Sequence, residues 1–133
     1  MQEHSNQVVR TADVIGKTVL GLDKEKLGKV EELVLDKLSG ETRYAVLSFG
    51  GFMGMGSDFY ALPWQELSYS LEDDAFIVML DKDALKAAPG FNKDNWPDFA
   101  DPVWSSPVNA FYASSRGTRS QGLNTPNSSR VSY

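Results

Sequence analysis

The sequence predicts a mainly β protein: a small antiparallel barrel of five to six strands, followed by a short helical and aromatic extension and a disordered tail. Three observations predict it. Short apolar stretches recur between residues 17 and 80, each bounded by turn signals, in the rhythm of short antiparallel strands. A helix-forming pattern enters only after Asp81. Beyond Tyr112 large apolar residues become scarce, so little surface is available to offset the entropy of ordering the chain. The expected organisation is a flexible N-terminus at 1–11, the barrel at 12–80, an extension at 81–112 packing on the barrel or on a dimer partner, and a tail at 113–133.

Residues 17–22, KTVLGL, read as the first strand, and DKEKLG as a polar turn ending at Gly28. KVEELVLDK, 29–37, reads as the second. Val30 sits one step out of phase with Leu33 and Leu35, which predicts a β-bulge around Glu31 and Glu32. Ser39-Gly40-Glu41-Thr42 is a turn signal. RYAVLSF, 43–49, is apolar on both faces, as a central strand would be. In DFYALP, 58–63, Pro63 cannot donate a ladder hydrogen bond, so the strand ends there or lies on an edge. QELSYSLE leads to the acidic turn Glu72-Asp73-Asp74, and AFIVML, 75–80, has the continuous apolar character of a strand buried on both sides. Closing these strands into a barrel would remove exposed edges.

Asp81 or Asp83 is placed to cap a helix through LKAA, which Pro89-Gly90 ends after about two turns. The stretch 91–112 then carries Phe91, Trp96, Phe99, Trp104, Phe111 and Tyr112 among Pro97, Pro102 and Pro107. Trp104, Val108, Phe111 and Tyr112 fit one helical face, with Pro107 expected to kink or interrupt it.

Composition excludes several chemistries. The chain has no cysteine, so disulfides, thiolate catalysis and cysteine metal sites are out. Its one histidine is His4, close to the N-terminus, so neither histidine catalysis nor a histidine-rich metal site is expected. The first ten residues lack the apolar stretch of a signal peptide, and no apolar run approaches the ~20 residues of a membrane span, so a soluble, cytoplasmic protein is expected. The net charge is −5. Three arginines and no acid fall in 113–133, leaving 10 basic and 18 acidic side chains in 1–112, a balance of −8. A body of that sign repels a phosphate backbone and disfavours nucleic-acid binding.

Gly51, Gly56 and Ser57 in GFMGMGS suggest a phosphate loop, but the lysine is missing and a strand pattern follows where a helix is required. The reading is a glycine-rich hairpin loop that carries three apolar residues, Phe52, Met53 and Met55. Glu72-Asp73-Asp74 lacks the spacing of a calcium loop and reads as a solvated turn. No pair among the carboxylates is marked out for acid–base work, and Ser57-Asp58 has no histidine beside it. Trp64 reads as core packing or a dimer contact.

The order of these motifs resembles the PRC-barrel family. The matching points are Ile15-Gly16 before the first strand, Leu27-Gly28-Lys29-Val30-Glu31 opening the second, Gly40 in the turn, and Arg43-Tyr44-Ala45-Val46 in the third strand. Gly50-Gly51-Phe52 and Leu62-Pro63-Trp64 complete the series. The resemblance covers about residues 12–80, and more loosely LKAAPGFNKDNW, which is similar to the extension of stand-alone bacterial members. The family includes the cytoplasmic domain of the photosynthetic reaction centre H subunit and the C-terminal domain of a ribosome maturation factor. The sequence is expected to lack the membrane helix of the first and the preceding barrel of the second, so neither function is carried over.

The resemblance implies a β-barrel used for protein contact and often self-associating, with no catalytic residue to transfer. The expectation is a non-enzymatic interaction module, a homodimer, with no catalytic, cofactor or metal residues. Its contact residues are expected to be Phe52, Met53, Met55, Trp64, Trp96, Trp104, Phe111 and Tyr112. One alternative is an RNA- or ribosome-associated factor that uses Arg116, Arg119 and Arg130. Another is a small-ligand domain with a pocket at Trp64, Tyr69 and Tyr44.

Overall fold

A computed structural model describes residues 8–49 and 57–123, with 116–123 described by backbone alone. The chain divides into two compact units, 1–97 and 98–133. The first holds a one-turn helix α1 (Thr11–Val14) and six strands: β1 (Thr18–Leu20), β2 (Lys26–Leu35), β3 (Thr42–Phe49), β4 (Phe59–Pro63), β5 (Ser68–Ser70) and β6 (Ala75–Ile77). Helix α2 (Lys82–Lys86) follows. The second unit is built on helix α3 (Pro102–Leu123).

The strands form one sheet in the order β4-β3-β2-β1-β6-β5. β3 is central, as its two apolar faces require, and Ala45, Val46 and Leu47 are each at most 1% exposed. The bulge falls where the apolar phase slips. Val30 pairs with Leu47 and Glu32 with Val46, so Glu31 is the extra residue. β4 ends at Pro63 on the edge of the sheet. The core gathers Val19, Leu27, Val30, Leu47, Leu62 and Val78, all nearly inaccessible.

Two expectations are corrected. The ladder is not wholly antiparallel: β1 and β6 run parallel, with Val19 opposite Phe76 and Leu20 opposite Ile77. The reason is parity. The links β1–β2, β2–β3, β3–β4 and β5–β6 all reverse the chain, but the turn Trp64–Glu66 carries β4 into β5 without reversing it. One missing reversal turns β6 to the same sense as β1.

The sheet is also not closed into a barrel, since among the described residues β4 and β5 do not pair. It is nevertheless strongly curled. Six flat strands would place their outer members about 24 Å apart, whereas the five Cα steps from Pro63 to Ser68 reach at most ~17 Å even when extended. β4 and β5 are thus one bent run that pairs with opposite ends of the same sheet, a corner of the kind by which strands pass from one sheet layer to another.

The apolar run AFIVML supplies less strand than expected. Only Ala75–Ile77 is paired as a strand, after which Val78 and Leu80 turn into the core and Met79 stays half-exposed. The second strand, by contrast, starts earlier than expected, at Lys26, because Gly28 pairs on both sides, with Val19 and with Phe49. α2 begins where expected. The Asp81 carboxylate accepts from the Ala84 amide at 2.8 Å, and Leu85 is fully buried. α3 starts at an Asp-Pro step in which Asp101 accepts from the Val103 amide at 2.9 Å and Pro102 takes the first helical position.

Pro107 does not interrupt α3, the stronger of the two effects expected of it. The helix continues past the one hydrogen bond that Pro107 cannot donate. Helical backbone also runs through residues 113–123 of the segment expected to be disordered, and 124–133 lie outside the described residues.

Candidate interaction surface

Two aromatic groups occupy the two edges of the sheet. At the corner between β4 and β5, Pro63 fixes the exit of β4 and Trp64 opens the turn, which is closed by the Leu67 amide donating to the Trp64 carbonyl at 3.1 Å. The Trp64 ring meets Phe76 at 5.7 Å between centroids. Tyr69, paired directly opposite Phe76 across β5–β6, meets it edge-on at 5.3 Å. Phe76 is buried beneath the two, and Tyr69 is 44% exposed. Each such ring pair contributes about 0.5–1.5 kcal/mol beyond burial. Tyr44, buried in β3, lies opposite Pro63.

At the other edge, Phe91 bridges to Phe59 at the start of β4 and exchanges backbone hydrogen bonds with it at 2.9 Å in each direction. The Asp58 amide also donates to the Phe91 carbonyl, and the Asp58 carboxylate accepts from the Lys93 amide at 2.9 Å. Trp96 closes the group, 5.1 Å from both Phe59 and Phe91. The extension thus covers the first part of an edge strand, one of the ways sheets avoid open edges. Trp96 keeps 38% of its surface exposed.

In the second unit Phe99 and Trp104 meet edge-to-face at 5.0 Å, and Phe111 and Tyr112 do the same at 5.0 Å. The structure therefore distributes the predicted aromatics over separate pairs and clusters. Trp64 belongs to the β4–β5 corner, Trp96 to the β4 edge, and Trp104, Phe111 and Tyr112 to α3. Phe52, Met53 and Met55 lie outside the described residues.

The acidic turn is solvent-exposed, as expected, and is also ion-paired. Lys17 Nζ donates to both carboxylate oxygens of Asp74, at 2.7 and 2.8 Å, and the Tyr69 hydroxyl donates to the same carboxylate. Lys24 Nζ reaches Asp73 at 3.4 Å, and the Ser70 hydroxyl donates to Asp73 at 2.9 Å. Hydrogen bonds from Lys17 and then Tyr69 hold the Asp74 carboxyl below its ordinary range. The same carboxylate raises Lys17 and Tyr69, chiefly through those hydrogen bonds. Neighbouring acids face different lysines, and among the described residues no group of three or more potential ligands is placed to hold a metal.

The tip of the β2–β3 hairpin is as firmly built. The Asp36 carboxylate accepts from the amides of Leu38 and Ser39 at 2.9 and 3.1 Å, which together hold its carboxyl below the ordinary range. The Asp36 carbonyl accepts from the Gly40 amide at 2.8 Å, and Gly40 has a φ of +81°, open to glycine without strain. The turn presents Leu38 at 99% exposure, with Leu35 at 48%.

The family model for the PRC-barrel domain matches residues 6–85, more than half of the chain. The chain belongs to the PRC-barrel family. No curated protein matches it. Among solved structures it is similar to a protein described as a 16S ribosomal RNA processing protein, RimM, from Pseudomonas aeruginosa. The two are 19% identical, with 59% of this chain and 48% of that one covered and a TM-score of 0.38, so the likeness carries no argument about function. No helix among the described residues of this PRC-barrel chain is long and apolar enough to cross a membrane.

Sequence reasoning used Leu35 only for its strand phase and passed over Leu38, whose signal was a leucine between Lys37 and Ser39, beside a stretch recognised only as a turn. It also passed over the lysines at 17 and 24, whose partners are far away in sequence.

Proposed function

We propose that this PRC-barrel domain is a cytoplasmic, non-enzymatic protein-interaction module that self-associates. The observation that carries this reading is the β2–β3 hairpin tip. Leu38, 99% exposed, projects from a turn already fixed by Asp36 and Gly40. Burying a leucine contributes about 1.5–3 kcal/mol, and a turn ordered beforehand loses little entropy on contact. The half-exposed Tyr69 and Trp96 add apolar surface elsewhere on the same unit.

Light scattering over a concentration series tests it. The full chain is expected to approach twice its 14.7 kDa mass as concentration rises. The double variant Leu35→Asp/Leu38→Asp is expected to remain at the single-chain mass. A single-chain mass for the unaltered protein at every concentration overturns self-association.

A second reading, an RNA- or ribosome-associated factor, has one observation in its favour: residues 113–133 contain Arg116, Arg119 and Arg130 and no acid. RNA binding that falls steeply with added salt and is lost when all three arginines are replaced by glutamine would support it. The −8 balance of residues 1–112 speaks against it.

A further inference from the structure

We propose that the β5–β6 hairpin is a separable strap, held onto β1 by a charge clasp, whose attachment is set by ionic strength. This goes beyond the proposed function and stands whether or not the domain has a partner. Three independent features support it.

The first is how little ladder joins the strap to the rest of the sheet. Among the described residues β5 pairs only with β6, and β6 meets β1 at two register positions, Val19 with Phe76 and Leu20 with Ile77. The Val78 amide donates to the Leu20 carbonyl at 2.9 Å, and beyond the strands the Leu22 amide donates to the Leu80 carbonyl at 2.9 Å, which anchors the chain on the far side of β6. The β2–β3 ladder, in contrast, runs from Gly28 to Leu35.

The second is the placement of the charges. Lys17 and Lys24 flank β1, one immediately before it and one shortly after, and each takes one of the two adjacent carboxylates in the hairpin turn, Asp74 and Asp73. Tyr69 of β5 and Ser70 tie the same carboxylates from the hairpin side. Lys17 also feels Asp13 of α1. The clasp thus adds side-chain ties at the turn end of the hairpin, away from the backbone bonds at Val78 and Leu80.

The third is backbone conformation. Among the described residues the non-glycine residues with left-handed backbone are Asp23, Lys24 and Asp74, with φ of 58°, 60° and 49°. Two of the three belong to the clasp and the third adjoins it. L-residues adopt this region at a cost, and such positions collect where surrounding contacts over-determine them. At Asp23 and Lys24 the turn is closed by the Lys24 and Glu25 amides donating to the Gly21 and Leu22 carbonyls at 3.1 Å, and the ion pairs add contacts with exposed members, Asp74 at 64% and Lys24 at 59% side-chain exposure, so salt reaches them. Release would uncover Val19, now 1% exposed, and the paired edge of β1, while Tyr69 and Phe76 travel together as a cross-strand pair.

Amide hydrogen exchange resolved by NMR on the full chain tests this. It compares the unaltered protein at 50 and 500 mM NaCl with Lys17→Gln and Asp74→Asn at the lower salt. Protection of the Val78 amide and of the β5–β6 amides is expected to fall about three- to fivefold with salt and in each variant, the scale of exposed ion pairs. The β2–β3–β4 amides are expected to keep theirs. A uniform loss across all six strands would mean that the hairpin does not open separately, and no loss would mean that the clasp does not hold it. Either result overturns the proposal. The salt series on the unaltered chain decides between these outcomes even if a variant fails to fold.

Discussion

Gly28 sits where two ladders meet, and replacing it with alanine should be far more damaging than a one-carbon change suggests. A Cβ at this position would overlap the Ser48 carbonyl oxygen and come within 3.0 Å of the Ser48 carbonyl carbon and 3.1 Å of Leu47 Cδ1. The obstacle is the neighbouring strand's backbone, which cannot rotate away as a side chain would. To admit the methyl group, β2 and β3 must part near the Gly28–Phe49 and Lys29–Ser48 pairs. Overpacking costs typically 1–3 kcal/mol, and each weakened ladder bond adds roughly 1 kcal/mol. We expect Gly28→Ala to destabilise the protein by about 3 kcal/mol, near the top of the overpacking range. Urea unfolding followed by far-ultraviolet circular dichroism should then show a midpoint about 1–3 M lower, for a slope of 1–3 kcal/mol/M. Gly40→Asn is the control. A Cβ there would meet nothing within 4 Å, and asparagine is among the residues that best tolerate a left-handed φ, so its midpoint should fall far less than that of Gly28→Ala. A Gly28→Ala midpoint within 0.2 M (about 0.5 kcal/mol) of the unaltered protein would refute the close-approach argument.

Four further outcomes follow from the same structure. The Asp74 carboxyl is held below its ordinary value of 3.8, so its stabilisation is present above that value and lost as pH falls through the lowered one; urea midpoints of Asp74→Asn should vary less below about pH 4 than those of the unaltered chain. Lys17 and Tyr69 are raised from 10.5 and 10.0, so their contribution is intact below those values and should fade as pH climbs through the raised ones, a loss that Lys17→Gln should reduce in the same urea series. Asp81→Ala removes the carboxylate that caps α2 and should cost about 1 kcal/mol in chemical unfolding. Leu85→Ala, at a site with 0% exposure, should cost about 2–5 kcal/mol, and a loss under 1 kcal/mol would mean that α2 contributes little to the core.

What the sequence made legible was local. The bulge at Glu31 showed as a slip in apolar phase, the cap at Asp81 as an acid before a helix former, and the central place of β3 as apolar character on both faces. What it hid was non-local. Nothing in LPWQEL distinguishes a link that reverses the chain from one that does not, and on that link depended the parallel pairing of β1 with β6. Apolarity in AFIVML told of burial but not of pairing, because Val78 and Leu80 are buried by packing beyond the ladder. The clasp escaped notice because Lys17 and Asp74 are 57 positions apart, and a charged pair so separated leaves no local pattern. Of the candidate surface, the aromatics were visible by type but not by grouping, and Leu38 was overlooked because a turn was expected to be polar.

The pairing of Val19 with Phe76 also sets a timetable for the chain as it is made. β1 to β4 pair with near neighbours and can close their hairpins as soon as each strand emerges. The far side of β1 must wait for a partner 57 residues later. At about 5–20 residues per second of synthesis, that edge stays open for roughly 3–11 s. Closing so long a loop is entropically the most expensive step in the sheet and is expected to be the last to form. Towards the end of that interval the nascent protein is a four-stranded meander with an unpaired flank, and its hazard is capture of that flank by a strand from another chain.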